Sequence, residues 1–293
     1  MQSSSLSPEP SFKRQPHDSP VELFAGRLAV FPNDGEVFVS GSCFRIAKNL
    51  YTTARHVLTD YADRYGCGNN HIDAECWVIH ILPGPQYAIY VVDYAWMSLR
   101  SDLAVFHTRP YNDIATAIKV THSVGLELAP PALHDRVVGF GYHDSSGNVD
   151  LDANGTRHIK VNAFGAATVG HVQEIFHARR DSSRLNFPCY QVNARFDGGM
   201  SGGPLISDRG SVCGIICSSI PPHTDGEQHI SYAATLWPLM GIQIDIDLQG
   251  NPCEKHYPLL ELARQGVIRA AGWDRIQLDK IPGSDQCTIQ FRP

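Results

Sequence analysis

Between Val21 and Thr235 the chain alternates short runs of β-branched and aromatic residues with clusters of Gly, Pro, Asn, Asp and Ser, a rhythm that leaves few folds open. Leu28–Phe31, Val37–Ser40, Cys43–Ile46 and Leu50–Thr53 are separated by the turn signals Pro32-Asn33-Asp34-Gly35, Gly41-Ser42 and Lys48-Asn49. After a polar insertion from about Thr59 to Ala74 come apolar strands at Cys76–Leu82, Tyr87–Val92 and Leu103–Phe106. A connector near residues 108 to 132 is broken by Pro130-Pro131, and the pattern then restarts. Arg136–Tyr142, His158–Val161, Ala166–Phe176, Tyr190–Val192, Ser211–Ser218 and Ile230–Thr235 read as strands, punctuated by turns such as Asp144-Ser145-Ser146-Gly147 and Asp208-Arg209-Gly210. Two successive sets of about six strands specify an all-β protein of two antiparallel six-stranded β-barrels, because closure removes exposed sheet edges. The spans are 21–115 and 116–245, with no sequence repeat between them.

The two ends differ from this pattern. Residues 1–20 are rich in Ser and Pro and poor in apolar groups, which predicts a disordered tail. Residues 246–293 form a C-terminal extension with one helix over 257–271, where apolar groups at 259, 260, 263, 267 and 268 make one stripe interrupted by Gly266. Such a helix packs on its own domain or docks a protein partner or activator, and packing is the commoner case.

At 43% hydrophobic and 18% charged, 293 residues supply an ample core. A net charge of −6 without a Lys/Arg block argues against nucleic acid or an anionic membrane as the main partner. No run approaches the roughly 20 apolar residues of a spanning helix. The first residues lack the basic end and apolar stretch of a secretory signal, so the expected location is the cytosol. The eight cysteines are then expected as free thiols. Cys67, His71 and Cys76 have a C-x3-H-x4-C spacing, but no fourth ligand is evident and a polar loop is the preferred reading, so neither metal nor cofactor is expected.

Chemistry concentrates in Asp197-Gly198-Gly199-Met200-Ser201-Gly202-Gly203-Pro204. Four glycines closed by a proline suit backbone amides that turn sharply toward a ligand, with one hydroxyl, Ser201, among them. A serine hydroxyl is a poor nucleophile unless a base removes its proton, and a neutral imidazole does this near neutral pH. His56 closes the strand-like Tyr51–Arg55, and Asp102 stands at the mouth of the apolar strand Leu103–Phe106.

Together these segments resemble those of trypsin/chymotrypsin-like serine proteases, whose order is His, Asp, Ser. Thr53-Ala54-Arg55-His56-Val57 resembles the Thr-Ala-x-His motif, Asp102-Leu103-Ala104-Val105 the Asp-Ile/Leu-Ala-Leu motif, and Gly199–Pro204 the Gly-Asp/Asn-Ser-Gly-Gly motif. Gly41-Ser42-Cys43-Phe44-Arg45-Ile46 resembles the Gly-Ser-Gly-Phe strand of the bacterial heat-shock-protease branch, and Gln191-Val192-Asn193-Ala194 resembles the Gln-Thr-Asp-Ala approach to its nucleophile. The resemblance covers about residues 22 to 240 and leaves the C-terminal 50 or so without a counterpart. It implies peptide-bond hydrolysis through an acyl-enzyme, acting on a protein or peptide substrate. His56 would be the general base, Asp102 its orienting carboxylate and Ser201 the nucleophile, with the backbone N–H groups of Gly199 and Ser201 as the oxyanion hole.

Departures from the family pattern carry information. Met200 stands where self-activating digestive relatives carry an aspartate, which implies that activation by a newly cut N-terminus is not used. Val57 replaces a cysteine beside the histidine, so that disulfide cannot form. Cys217 falls where many relatives place a serine that contacts the catalytic aspartate, implying a weaker hydrogen bond there. By resemblance Arg195 lies near the base of the primary substrate pocket, with Cys217, Ser218, Ser219 and Ser231 around it. A cation there would favour acidic substrates, unless Arg195 points to solvent.

Two rival readings remain. Gly199–Gly203 also fits the Gly-x-Ser-x-Gly elbow of α/β-hydrolase esterases, but a hairpin follows where that fold requires a helix. A silent or activator-dependent binding module on the same double barrel is the other.

Overall fold

The computed structural model describes residues 12–15, 19–31, 38–65, 75–82, 86–117, 123–151, 157–221, 229–247, 249, 251–280 and 287–292. The described course opens with a strand, β1 (Phe12–Arg14). A first group follows: β2 (Ala25–Phe31), β3 (Phe38–Ala47), β4 (Leu50–Thr53), helix α1 (Arg55–Tyr65), β5 (Glu75–Leu82), β6 (Gln86–Met97) and β7 (Ala104–Pro110). Its strands pair in the order β2-β3-β4-β7-β6-β5 and close into a barrel. Phe44, Tyr51, Phe106 and Leu28 are fully buried within it.

Helix α2 (Asp113–Ala117) and β8 (Leu126–Glu127) lead to the second group: β9 (Arg136–Leu151), β10 (Arg157–Phe176), β11 (Cys189–Val192), β12 (Pro204–Ser207), β13 (Val212–Ile220) and β14 (Ile230–Thr235). Pairings β12-β9-β10-β11-β14-β13, completed by β13 to β12, make a second closed ring of six. The chain ends with β15 (Gln243–Ile246), β16 (Pro252–Pro258), α3 (Leu259–Arg264), β17 (Ala270–Ala271), β18 (Ile276–Lys280) and β19 (Cys287–Phe291). The fold is the chymotrypsin-like double barrel.

Several local expectations are corrected. The tail does not stay outside the fold as far as residue 20: β1 pairs with Ala166–Thr168 of β10, and Phe12 packs against the second barrel's core. One aromatic residue with a strand edge to pair to is enough to order a short polar stretch. Gly41-Ser42 is not a turn but lies inside β3, at a register shift opposite Leu28 and Ala29. Glycine is required there by close approach, since a Cβ would meet Ser201 O at 2.8 Å and Val57 at 2.9 Å.

Asp144–Gly147 likewise belongs to a continuous β9, with Asp144 at φ 49° beside an irregularity in the pairing. The expected strands 158–161 and 166–176 are one long β10. This extended β9–β10 arm crosses to the first barrel, where Val149 and Val161 cover Ala29, Phe31, Trp77, Ile79 and Val91. That burial explains why a stretch with polar turn residues stays extended.

The polar insertion starts as helix, α1, through Tyr65. Cys67 and His71 lie outside the described residues, and Cys76 is buried in the first barrel. The C-terminal helix runs over 259–264 rather than 257–271: Pro258 belongs to β16, and Gly266 at φ 74° turns the chain out of the helix. Leu259, Leu260, Leu262 and Ala263 are buried against the rest of the chain, and most of the extension is strand.

Candidate active site

Sheet register brings the first two candidate residues together. Thr53, the last residue of β4, pairs with Ala104, the first of β7, so the segments just beyond them are neighbours although 46 positions separate His56 from Asp102. His56 sits in the first turn of α1. Asp102 Oδ1 accepts its backbone N–H at 2.9 Å, and Asp102 Oδ2 is 2.7 Å from its Nδ1. A carboxylate only accepts, so Nδ1 carries the proton and the neutral ring leaves its lone pair on Nε2. The loop carrying Asp102 is braced by Arg55 Nη1 to Ser98 O at 2.9 Å, and by Ser98 N–H to Leu103 O at 2.9 Å.

The carboxylate is well buried, its side chain 10% exposed against 34% for the imidazole. Burial lowers the His56 pKa, but the hydrogen bond and charge of Asp102, aided by Asp60, outweigh it. The net shift is upward from 6.5.

Ser201 lies in the turn before β12. Met200 N–H donates to Asp197 O at 3.1 Å, Gly203 N–H to Met200 O at 3.0 Å, and Gly202 N–H to Ile216 O at 2.7 Å. Met200 is fully buried and anchors the turn in the second core, where its Sδ accepts the Asp197 N–H at 3.3 Å. Gly199 and Gly202 have φ of 91° and 84°, values that side chains resist.

The turn presses on the first barrel. Ser42 N–H donates to Ser201 O at 2.8 Å, and a Cβ on Gly202 would overlap Thr53 Oγ1 and Ser42 O and lie 3.2 Å from Ala54 N. Ser201 is thereby held against the chain that leads into His56. Among the described residues no group takes the amide N–H of Gly199 or of Ser201.

A cavity of about 360 Å³ opens beside Ser201, its wall including Phe196, Asp197, Ile216, Ser218, Ser219 and His229. Of the residues expected around the pocket, Ser218 and Ser219 line it. Arg195 does not: its guanidinium makes two 2.8 Å hydrogen bonds to Asp197, lies over the Phe12 ring at 4.5 Å and is half-exposed. The acidic preference loses its cation, because Asp197, a residue of the cavity wall, pairs with Arg195 and neutralises it. Ser231 is buried behind the wall, donating to Ala194 O at 2.6 Å and touching Ser219 Oγ at 3.1 Å. Cys217 is also outside the lining. Its thiol donates to Tyr232 O at 3.3 Å, and burial, with the charge of Asp102 adding, pushes its pKa well up.

Sequence reasoning missed Ser42, Phe196 and His229. A Gly-Ser pair within a strand was the available sign for Ser42. Among the described residues no group of three His, Cys, Asp or Glu side chains is placed to hold a metal.

The family model for the trypsin-like peptidase domain matches residues 41–215. The chain belongs to this family. It is a trypsin-like serine protease, and the matched span contains His56, Asp102 and Ser201. No curated protein sequence matches the chain. Solved structures similar to this trypsin-like protease include the active form of the Rv3671c protease from M. tuberculosis, at 16% identity, covering 73% of this chain and 77% of that one with a TM-score of 0.44. Deg5 is 14% identical over 73% of this chain and 84% of its own, with a TM-score of 0.46. The HtrA-type protease AlgW with a tripeptide is 17% identical over 75% and 57%, with a TM-score of 0.44. Among the described residues of this trypsin-like protease no helix is long and apolar enough to cross a membrane.

Proposed function

We propose that the chain is an endopeptidase in which His56, Asp102 and Ser201 act as one triad. The observation that carries the proposal is the two-point hydrogen bonding of His56 to Asp102, which leaves the Nε2 lone pair of the neutral ring for a proton acceptor's work. Ser201, hydrogen-bonded through its carbonyl to Ser42 and followed by Gly202, which packs on the segment leading into His56, supplies the hydroxyl.

As Ser201 Oγ attacks the scissile carbonyl carbon, His56 Nε2 takes its proton, and the carbonyl π pair moves onto oxygen. The N–H groups of Gly199 and Ser201 stabilise that oxyanion; removing one such donor typically costs about 3 kcal/mol of barrier. Asp102 stabilises the imidazolium without itself taking the proton. Collapse expels the amine, which receives the proton from His56, and leaves an ester on Ser201. Water then attacks the ester with His56 again as base, releasing the acid and regenerating the hydroxyl.

The substrate is a protein or peptide whose side chain enters the cavity beside Ser201. Six described cysteines are free thiols, five of them buried, which supports a reducing, cytoplasmic compartment, and the role proposed there is limited processing of a protein substrate. The test is hydrolysis of a fluorescein-labelled unfolded protein by the wild type and by Ser201→Ala and His56→Ala. Each variant is expected to lose activity by about a thousandfold or more. Undiminished cleavage by Ser201→Ala would overturn the proposal.

A further inference from the structure

Ser42 stands outside the His-Asp-Ser set and on the other barrel from the nucleophile, yet it grips the nucleophile's turn twice. Its N–H donates to Ser201 O and its Oγ to Gly199 O, both at 2.8 Å. Tyr142 N–H on β9 donates to the same Oγ at 2.8 Å. The proton count fixes these directions: an amide can only donate and a carbonyl can only accept, so the single hydroxyl proton goes to Gly199. Ser42 is fully buried, and its own carbonyl accepts Thr53 Oγ1 at 2.7 Å. Each polar group of Ser42 is therefore committed, and a side chain of the first barrel ties together two segments of the second.

The carbonyl that Ser42 holds belongs to Gly199, whose N–H is one of the two proposed oxyanion donors. Consecutive glycines, 198 and 199, rotate at little cost, so their peptide planes need an outside restraint to keep an N–H aimed at a developing charge. On one side that restraint is β9, since a Cβ on Gly199 would lie 2.6 Å from Tyr142 O. On the other it is the Ser42 hydroxyl, which holds the next peptide, 199–200, and so the far side of the Gly199 Cα.

We propose that Ser42 is a positioning residue for the oxyanion hole: it holds the 199–200 peptide through Gly199 O, fixing the C-terminal side of the Gly199 Cα so that the preceding 198–199 peptide keeps its Gly199 N–H toward the reacting carbonyl. This rests on the serine-protease mechanism given above. Removing the hydroxyl leaves Gly199 O and Tyr142 N–H without their shared partner in a buried interface, where the turn can relax by rotating the 199–200 peptide and, through the flexible Gly199, the 198–199 peptide before it.

A fluorophosphonate reads this directly. Ser201 Oγ attacks phosphorus, fluoride leaves, the serine proton passes to His56, and the phosphoryl oxygen occupies the oxyanion hole. The second-order labelling rate is measured for wild type, Ser42→Ala, Ser42→Cys and Ser40→Ala, well below each melting temperature. Ser40 Oγ donates to Leu28 O at 3.1 Å on the same strand, so its variant loses a comparable hydrogen bond without touching the turn.

Ser42→Ala is expected to label about tenfold to a hundredfold more slowly, with an unchanged pH midpoint, while Ser40→Ala labels at the wild-type rate. Ser42→Cys, whose thiol is a weak donor, is expected to fall between and gives the reading if the alanine variant does not fold. Folded Ser42→Ala or Ser42→Cys labelling at the wild-type rate would overturn the inference. Wild type that takes no label overturns the catalytic mechanism itself, and this inference with it.

Discussion

Asp102 binds His56 twice, once through the backbone N–H at 2.9 Å and once through ring Nδ1 at 2.7 Å. The first contact fixes where the residue sits, and the second fixes which nitrogen carries the proton. Activity needs the neutral ring, and the His56 pKa is raised. Peptidase activity is therefore expected to fall with acidification, with a midpoint above 6.5. In Asp102→Asn the stabilising charge is gone, so the midpoint should move to lower pH while the rate drops about 10⁴-fold. A pH profile of kcat/KM checks both. An unmoved acid limb in Asp102→Asn would show that this carboxylate does not govern His56.

Gly202 packs directly on the first barrel, against Thr53 and Ser42. Alanine there combines a φ of 84° with overlap against Thr53 Oγ1 and Ser42 O, and is expected to cost about 3 kcal/mol or more. Gly210 provides the comparison, because its φ is 77° but nothing lies within 4 Å of an added Cβ. Gly210→Ala should cost only the backbone strain, about 1 kcal/mol. Urea denaturation of the two variants separates the steric part from the conformational part; equal losses would remove the case for barrel contact at Gly202.

Phe12 joins the N-terminal strand to the pocket wall. Its ring meets His143 edge-on at a centroid distance of 5.1 Å and carries the Arg195 guanidinium at 4.5 Å, and Arg195 holds Asp197 at the cavity. Phe12→Ala is expected to cost about 2 kcal/mol and to raise KM through the loosened 195–197 segment. Thermal unfolding and peptide kinetics measure the two effects.

Much of this architecture could be read from the chain, and its failures have local causes. Strand runs and turn clusters give both barrels because closure leaves each strand with one apolar face, and His56, Asp102 and Ser201 stand out because the motifs around them resemble those of the protease family in the same order. Gly41-Ser42 and Asp144–Gly147 look like turns because glycine and aspartate punctuate loops. In the fold one is a point of close approach and the other lies in an arm whose Val149 and Val161 are covered by the first barrel. Arg195 looks like a pocket base until Asp197 pairs with it, a contact between side chains that strand patterning does not encode. Phe12, alone among Ser and Pro, shows no periodicity because its partner strand lies more than 150 positions away, at Thr168.

His80 is a buried neutral histidine inside the first barrel, with Nε2 3.0 Å from Tyr51 OH and Nδ1 3.2 Å from Glu22 O. Burial, with the Arg45 charge adding, lowers its pKa from 6.5 to about 3. The unfolded chain therefore takes up a proton that the folded chain refuses between those values. The corresponding stability is fully present above 6.5 and is lost as pH falls toward about 3, at up to about 1.4 kcal/mol per pH unit. His80→Gln is expected to flatten the dependence of unfolding free energy on pH by about one proton; identical slopes would mean that His80 titrates normally in the fold.

The most direct measurement is the mass and location of the adduct formed with a fluorophosphonate. The expected result is one equivalent per chain on the peptide containing Ser201, lost in Ser201→Ala and slowed in Asp102→Asn. Labelling at any other residue, or labelling that survives Ser201→Ala, would contradict a nucleophile held between the two barrels at this turn.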